Sequence, residues 1–136
     1  MSFLIDTNVI SELRKGERAN RGVKTWFGDI EDEEVFLSVL TVGELRRGIE
    51  SISRRDSKSG SSLNQWLARL VMGFEGRIVP VDGTIAEEWG RMNVPDPLPV
   101  VDGLLAATAK IRGLTLATRN LKDISNTGIE AVNPFD

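Results

Sequence analysis

The chain of 136 residues contains neither histidine nor cysteine. The absence of histidine excludes imidazole as a general base, a general acid or a metal ligand. The absence of cysteine excludes thiolate nucleophiles, disulfide bonds and cysteine-bound zinc. Any catalysis must therefore depend on carboxylates, hydroxyls, amides, lysine and arginine, or on a metal ion held by oxygen ligands.

Long hydrophobic runs are also missing. No segment reaches the roughly 20 consecutive apolar residues that a membrane-spanning helix needs. Asp6 interrupts the first apolar run, where a signal peptide would continue. We therefore expect a cytoplasmic protein with no membrane partner. The length and the composition, 40% hydrophobic and 27% charged residues, predict one globular domain over residues 1–136.

The charge of the chain is slightly negative. The net charge of −3 argues against strong unaided binding to a polyanion, although ten of the 17 Lys and Arg residues precede residue 60. A local basic rim around an acidic centre would supply contacts to phosphate groups. A solvated helix face remains the simpler explanation of any single arginine.

Patterns typical of strands and of helices alternate along the chain. Short apolar runs predict strands at residues 3–5, 35–39, 78–81, 114–117 and 129–132. Pro80 favours an edge or terminal position for the third of them. A polar stretch, residues 53–62, predicts a mobile loop. The alternation predicts a single α/β domain with a mostly parallel central sheet of about five strands and helices on both faces.

Four acidic residues lie next to apolar segments, at comparable positions after the predicted strands: Asp6, Glu44, Asp102 and Asp123. In a parallel sheet such positions can converge at one edge. Converging carboxylates repel one another, and burial raises their pKa unless a cation is present. Mg²⁺ or Mn²⁺ would suit oxygen ligands of this kind and would lower the pKa of a bound water.

Each of these acids also has a purely structural explanation. Asp6 could cap a helix with Thr7 and Asn8, and Asp102 could cap another. Glu44 could complement a helix dipole, and Asp123 could form an Asx turn. The remaining acids that stand out are most simply cap, helix-surface or loop residues: Glu12, Asp82, Glu87, Glu88 and Asp96.

Four motifs in a fixed order carry a resemblance to a known family. The segment Leu4–Leu13 (LIDTNVISEL) resembles the opening of PIN-domain ribonucleases, especially VapC-type toxins of bacterial toxin–antitoxin pairs. Three further segments resemble the later acidic motifs of that family: residues 40–48 (LTVGELRRG), 98–109 (LPVVDGLLAATA) and 116–123 (LATRNLKD). Residues 132–135 resemble the usual end, so the resemblance spans the whole chain.

The resemblance implies a metal-dependent endoribonuclease and roles for individual residues. Asp6 and Asp102 match the main ligands of Mg²⁺, with Mn²⁺ as an alternative. Glu44 and Asp123 would complete the coordination shell of the metal ion or orient water. Thr7, Asn8, Thr118 and Asn120 match the polar residues that support the acids. Water activated by the metal would attack a phosphodiester in line and leave 5′-phosphate and 3′-hydroxyl ends. Asp123 and Asn120 are the two alternatives for the fourth side chain of this site.

The resemblance also implies partners. RNA would be the substrate, with Arg46, Arg47 and Arg119 as candidates for holding its backbone. The family implies a homodimer and a cognate antitoxin whose C-terminal segment covers the acidic site, where one of its arginines could pair with the carboxylates. Gly103 stands where related sequences often have alanine, and we expect it to loosen the start of its helix.

Three other classes of protein share part of this pattern. A haloacid-dehalogenase-like phosphatase needs a second acid two residues after the first, where this chain has Asn8. A phospho-acceptor signalling domain needs paired acids at the first strand, an acceptor aspartate after a middle strand and a late lysine, of which only fragments are present. A PIN-like protein that binds without cleaving is the third alternative, and the intact acids argue against it.

Overall fold

A computed structural model describes residues 1–136. Its strands are Phe3–Ile5 (β1), Val35–Ser38 (β2), Ile78–Val79 (β3), Thr115–Ala117 (β4) and Ala131–Val132 (β5). Its α-helices are Thr7–Leu13 (α1), Arg21–Gly28 (α2), Val39–Ser53 (α3), Ser57–Gly73 (α4), Gly83–Met92 (α5), Val100–Arg112 (α6) and Leu121–Ile124 (α7). None of these helices is long and apolar enough to cross a membrane.

The five strands form one sheet in the order β3-β2-β1-β4-β5. Every neighbouring pair is parallel, with Leu4 of β1 opposite Phe36 on one side and Leu116 on the other. The prediction of a five-stranded, mostly parallel sheet is confirmed, and the sheet is parallel throughout. The strand that ends before Pro80 lies at an edge, as Pro80 predicted, because proline cannot donate to a neighbouring strand.

Alternating side chains of the strands feed two cores, one on each face of the sheet. Ile5 and Leu37 are fully buried on the face that α1–α4 cover. Leu4 and Leu116 are buried on the other face, against α6 and α7, and Ile85 of α5 adds a smaller cluster beside them. Each such side chain contributes about 1.5–3 kcal/mol through removal from water. Helices therefore cover both faces, as predicted.

The prediction of a mobile loop over residues 53–62 is wrong. Only residues 54–56 separate α3 from α4. The Asp56 carboxylate accepts the Ser59 backbone N–H at 3.1 Å and the Ser59 hydroxyl at 2.7 Å, which caps the new helix. Gly60 is buried where a Cβ atom would overlap the Ser53 side chain, so its lack of a side chain lets the two helices approach closely. Capping and packing thus override the turn-like composition.

Strand boundaries were also predicted too wide. Val39, predicted as strand, begins α3 because the Ser38 hydroxyl accepts the Leu40 N–H at 3.0 Å and caps the helix. The last strand covers residues 131–132 rather than 129–132. These differences lie at element ends, and the existence and order of the strands are unaffected.

Glu88, predicted as a helix-surface residue, is buried. Its carboxylate accepts the Lys110 ammonium at 2.8 Å and the Arg91 Nε–H at 3.2 Å. The hydrogen bond from Lys110 is the main reason that the pKa of Glu88 is lowered. The pair joins α5 to α6, the helix that carries Asp102.

Gly103 has a packing role in the first turns of α6. It is buried, and a Cβ atom there would lie 3.1 Å from the Trp89 ring and 3.3 Å from Leu98 Cβ. The backbone N–H of Gly103 donates to Pro99 O at 2.8 Å, so the helix is formed at this point. Glycine here lets the indole pack directly on the helix backbone.

We expect Gly103→Ala to lower the free energy of unfolding by about 1 kcal/mol, because overpacking against Trp89 outweighs the better helix propensity of alanine. Gly90→Ala in α5 is the matched control, because its added Cβ meets nothing within 4 Å. That variant should gain up to about 1 kcal/mol. Urea unfolding of both variants measures the difference, and stabilisation by Gly103→Ala would contradict the packing argument.

Candidate active site

Asp6 is the most firmly held acid of the site. It follows β1 and is the N-cap of α1, and the residue is 5% exposed. One carboxylate oxygen accepts the Thr7 N–H at 2.7 Å, and the other accepts the Thr118 hydroxyl at 2.7 Å and the Asn8 amide at 3.4 Å. Its backbone N–H also donates to Ala117 O at 2.9 Å. The capping role predicted for Asp6 is therefore real, and it leaves the carboxylate fixed between the ends of two strands.

Thr118 connects Asp6 to the segment after β4. The residue is 1% exposed, and its hydroxyl donates to Asp6 while accepting the Asn120 backbone N–H at 2.9 Å. The Asn120 side chain is exposed and forms no capping bond at the start of α7. Asn120 thus supports this arrangement through its backbone rather than its amide.

We expect Thr118→Val to cost about 1–3 kcal/mol of stability, because a buried donor and acceptor lose their partner. It should also raise the pKa of Asp6 further, since the Thr118 hydrogen bond lowers it. Thr108→Val is the matched control, because that buried hydroxyl only bonds Leu104 O within its own helix. Urea unfolding and a carboxyl NMR titration measure both effects, and an unchanged pKa of Asp6 would contradict the assignment.

Glu44 is anchored by the same region of α1. It is half-buried, and its carboxylate accepts the Thr7 hydroxyl. Glu44 lies beyond the first turn of α3, so the explanation through the helix dipole does not apply to it. Its negative charge raises the pKa of both Asp6 and Asp102.

Asp102 is the acid with the strongest electrostatic perturbation. It lies in the first turn of α6, but Pro99 is the N-cap residue, so capping does not explain Asp102. Burial, followed by the charges of Asp6, Asp123 and Glu44, raises its pKa from 3.8 to about 6. A contact with the Asp123 carboxyl acts in the same direction.

Asp6 and Asp123 are the other two of the four interacting carboxyl groups. The pKa of Asp6 is raised, mainly by burial and in part by the charge of Glu44, against the lowering effect of its hydrogen bonds. Asp123 is exposed on the four-residue helix α7. The structure therefore brings acids from four separate segments within electrostatic reach of one another.

The donor set suits a hard divalent cation. No three of these carboxylates lie close enough to form a ready-made metal cluster. Mg²⁺ commonly uses only one or two protein carboxylates and retains several waters, so a tighter cluster is unnecessary. A cation would also relieve the repulsion that raises the pKa of Asp102. The residues fit a hard divalent cation held by oxygen ligands.

The three candidate arginines differ in their environments. Arg46 pairs with Glu50 at 3.3 Å and also donates to the Asn64 amide oxygen. Arg47 is exposed on the same helix. Arg119 stacks its guanidinium over the Phe135 ring at 4.5 Å, and its backbone N–H donates to the Asn8 side chain at 3.2 Å. Arg47 is thus the most available of the three for a phosphate.

Glu12 has a role that the sequence did not indicate. Predicted as a helix-surface acid, it accepts the Asn20 backbone N–H at 2.8 Å and pairs with Lys15 at 3.0 Å. These bonds, with a smaller effect from Arg119, lower its pKa. Its partner at Asn20 lies beyond the end of α1, so no helical spacing could have signalled it.

Comparison with known proteins identifies the family of the chain. A family model described as PIN domain matches residues 3–129. Toxin FitB of Neisseria gonorrhoeae is 33% identical over 98% of each chain, and VapC ribonuclease Y4jK of Sinorhizobium fredii is 29% identical over 98% of each. The crystal structure of FitAcB from Neisseria gonorrhoeae superposes with a TM-score of 0.89 at 33% identity, covering 97% of both chains. The chain belongs to the PIN-domain family.

Proposed function

We propose that this protein is a metal-dependent endoribonuclease and the toxin of a toxin–antitoxin pair. The observation that carries the proposal is the set of four carboxyl groups, from four segments, whose charges act on one another around the buried Asp6. Its relatives at about 30% identity are named as a toxin and a ribonuclease. Family membership therefore supports RNA as the substrate of the acidic site.

Nucleases of the VapC group generally depend on a divalent metal ion. For this chain we propose Mg²⁺, with Mn²⁺ as an alternative, held mainly by Asp6 and Asp102. The ion would supply an activated water and neutralise negative charge on the phosphodiester during in-line attack. Thr118 and Thr7 would keep Asp6 and Glu44 in place before substrate arrives. Such preorganisation removes a reorganisation cost from the reaction.

We propose that Asp123, rather than the Asn120 amide, is the fourth side chain of the acidic site. The Asp123 charge acts directly on Asp102, whereas Asn120 contributes its backbone N–H to Thr118. Asp123 and Glu44 would orient water and accept protons. Arg47 would contact the RNA backbone, with Arg46 and Arg119 available after exchanging their present partners.

The partners proposed for the chain follow from the same site. Four neighbouring acids form a local negative surface that an arginine from an antitoxin segment would neutralise with charge-assisted hydrogen bonds. A relative that is 30% identical has been solved as FitAB bound to a DNA fragment. We propose a cognate antitoxin that blocks the acids, and a homodimer as the toxin's own assembly.

Metal removal tests the proposal. We expect cleavage of single-stranded RNA in Mg²⁺ or Mn²⁺ and its complete loss in EDTA, with recovery when excess Mg²⁺ is added. Without a cation the negative charges of the neighbouring acids oppose binding of a phosphate. Gel analysis of 5′-labelled RNA measures the result. RNA cleavage that continues in EDTA would contradict the proposal, and RNA binding without cleavage in any metal would favour the binding-only alternative.

A further inference from the structure

A groove lies beside the proposed active site, between two walls of different character. It has a volume of about 330 Å³ and is lined by residues 94–99 on one side and by α7 with the following turn on the other. We call it the proline-loop groove. Asp123 belongs to its lining, so the groove is continuous with the acidic site.

The loop wall of the groove is mainly apolar, with Asp96 as its one charged residue, and it is held in one shape. The Asn93 amide donates to Trp89 O at 2.7 Å and accepts the Leu98 N–H at 2.9 Å, which ties the two ends of the loop together. Pro95 and Pro97 fix their own φ angles between these ties. Val94 is nevertheless 75% exposed on this loop. A rigid loop that keeps an apolar side chain in water is typical of a binding surface.

The opposite wall supplies polar groups. Lys122 and Asn126 are exposed and line the groove on either side of Asp123 along the chain. An ammonium group and an amide are thus available in the same groove as the loop, together with the carboxylates of Asp96 and Asp123. Apolar contacts beside a few polar groups that fix the orientation of a ligand are usual in small-ligand sites.

We propose that the proline-loop groove binds the unpaired nucleotide next to the scissile phosphodiester. Its base would lie against Val94 and the prolines, and its phosphate would lie near Lys122. The inference rests on the proposed function, which places the scissile phosphate at the acids that include Asp123. Proteins read single-stranded RNA by packing splayed bases on flat or apolar surfaces and contacting their edges, and Asn126 offers both a donor and an acceptor for an edge. The groove would then select the base beside the cut.

NMR titration tests this site without RNA cleavage. Ribonucleoside 5′-monophosphates contain no phosphodiester to cleave, and each of the four is added in Mg²⁺ to the ¹⁵N-labelled chain. We expect amide shifts confined to residues 93–98 and 122–127, with inorganic phosphate producing a smaller subset near Lys122. Val94→Ser should weaken nucleotide binding about three- to tenfold through lost apolar contact. Val71→Ser, an exposed valine on α4, is the matched control and should leave binding unchanged.

The outcomes separate this inference from the proposed function. Nucleotide shifts in the groove of a chain that cleaves no RNA would support the groove and refute the nuclease. RNA cleavage without groove shifts, and with the same bases flanking the cuts in wild type and Val94→Ser, would overturn the groove and leave the nuclease standing. Identical shifts from inorganic phosphate and from all four nucleotides would also overturn it, because the base would then make no contact.

Discussion

Asp6→Asn is expected to lower the rate of RNA cleavage at least about a thousandfold, because loss of a metal-holding carboxylate removes several kcal/mol of transition-state stabilisation. The fold should persist. Asparagine is as good an N-cap as aspartate, and its oxygen can still accept the Thr7 N–H. The Thr118 hydroxyl has a second lone pair with which to accept the new amide. Labelled-RNA cleavage and circular dichroism measure activity and fold.

Asp56→Asn is the matched control for this experiment. Asp56 caps α4 as Asp6 caps α1, through a carboxylate that accepts a backbone N–H. The substitution is chemically the same, but Asp56 is not among the charges that act on Asp6 or Asp102. We expect wild-type cleavage from Asp56→Asn. Equal loss in both variants would assign the effect to capping, and wild-type cleavage by Asp6→Asn would refute the proposed site.

The fold could be predicted from the sequence because the short apolar runs of its strands and the helical spacing of its helices are local patterns. Leu4 and Ile5 are adjacent in the sequence and feed opposite cores, which is what a strand buried on both faces requires. The approximate place of the acids followed from the same rule, since parallel strands end at one edge. Asp6 caps α1 and also lies among the neighbouring acids, so the two explanations offered for it are not exclusive.

The connections between the acids could not be predicted from spacing. Thr118 lies 112 positions from Asp6, and Thr7 lies 37 positions from Glu44, so both hydrogen bonds depend on the finished fold. The prediction of a loop at Gly60 was wrong for a similar reason. A serine- and glycine-rich stretch predicts a loop, but close packing against Ser53 makes it helix. The burial of Glu88 could not be predicted from local spacing either, because the cation that pairs with it, Lys110, lies on another helix.

Asp102→Asn is expected to have opposite effects on stability and on activity. The folded protein holds the pKa of Asp102 at about 6, above its ordinary 3.8, because burial and three nearby acids disfavour the charged form. A raised carboxyl pKa costs stability as pH rises through the window from about 4 to 6, and the full cost remains above it. After allowance for solvent screening of this partly exposed group, the cost at pH 7.5 is about 1–2 kcal/mol.

Urea unfolding in EDTA between pH 4.5 and 7.5 tests this balance. We expect wild type to lose stability as pH rises across this range, and Asp102→Asn to lose less and to be the more stable protein at pH 7.5. Glu75→Gln, at an exposed acid outside the cluster, should show the same dependence of stability on pH as wild type.

Addition of Mg²⁺ should stabilise wild type and not Asp102→Asn, because a cation that binds only the folded state shifts unfolding by mass action. RNA cleavage by Asp102→Asn should fall about a thousandfold. A variant that is less stable than wild type at pH 7.5 would show that Asp102 serves the fold, whereas a gain in stability with a loss of cleavage is what a carboxylate kept for a metal requires.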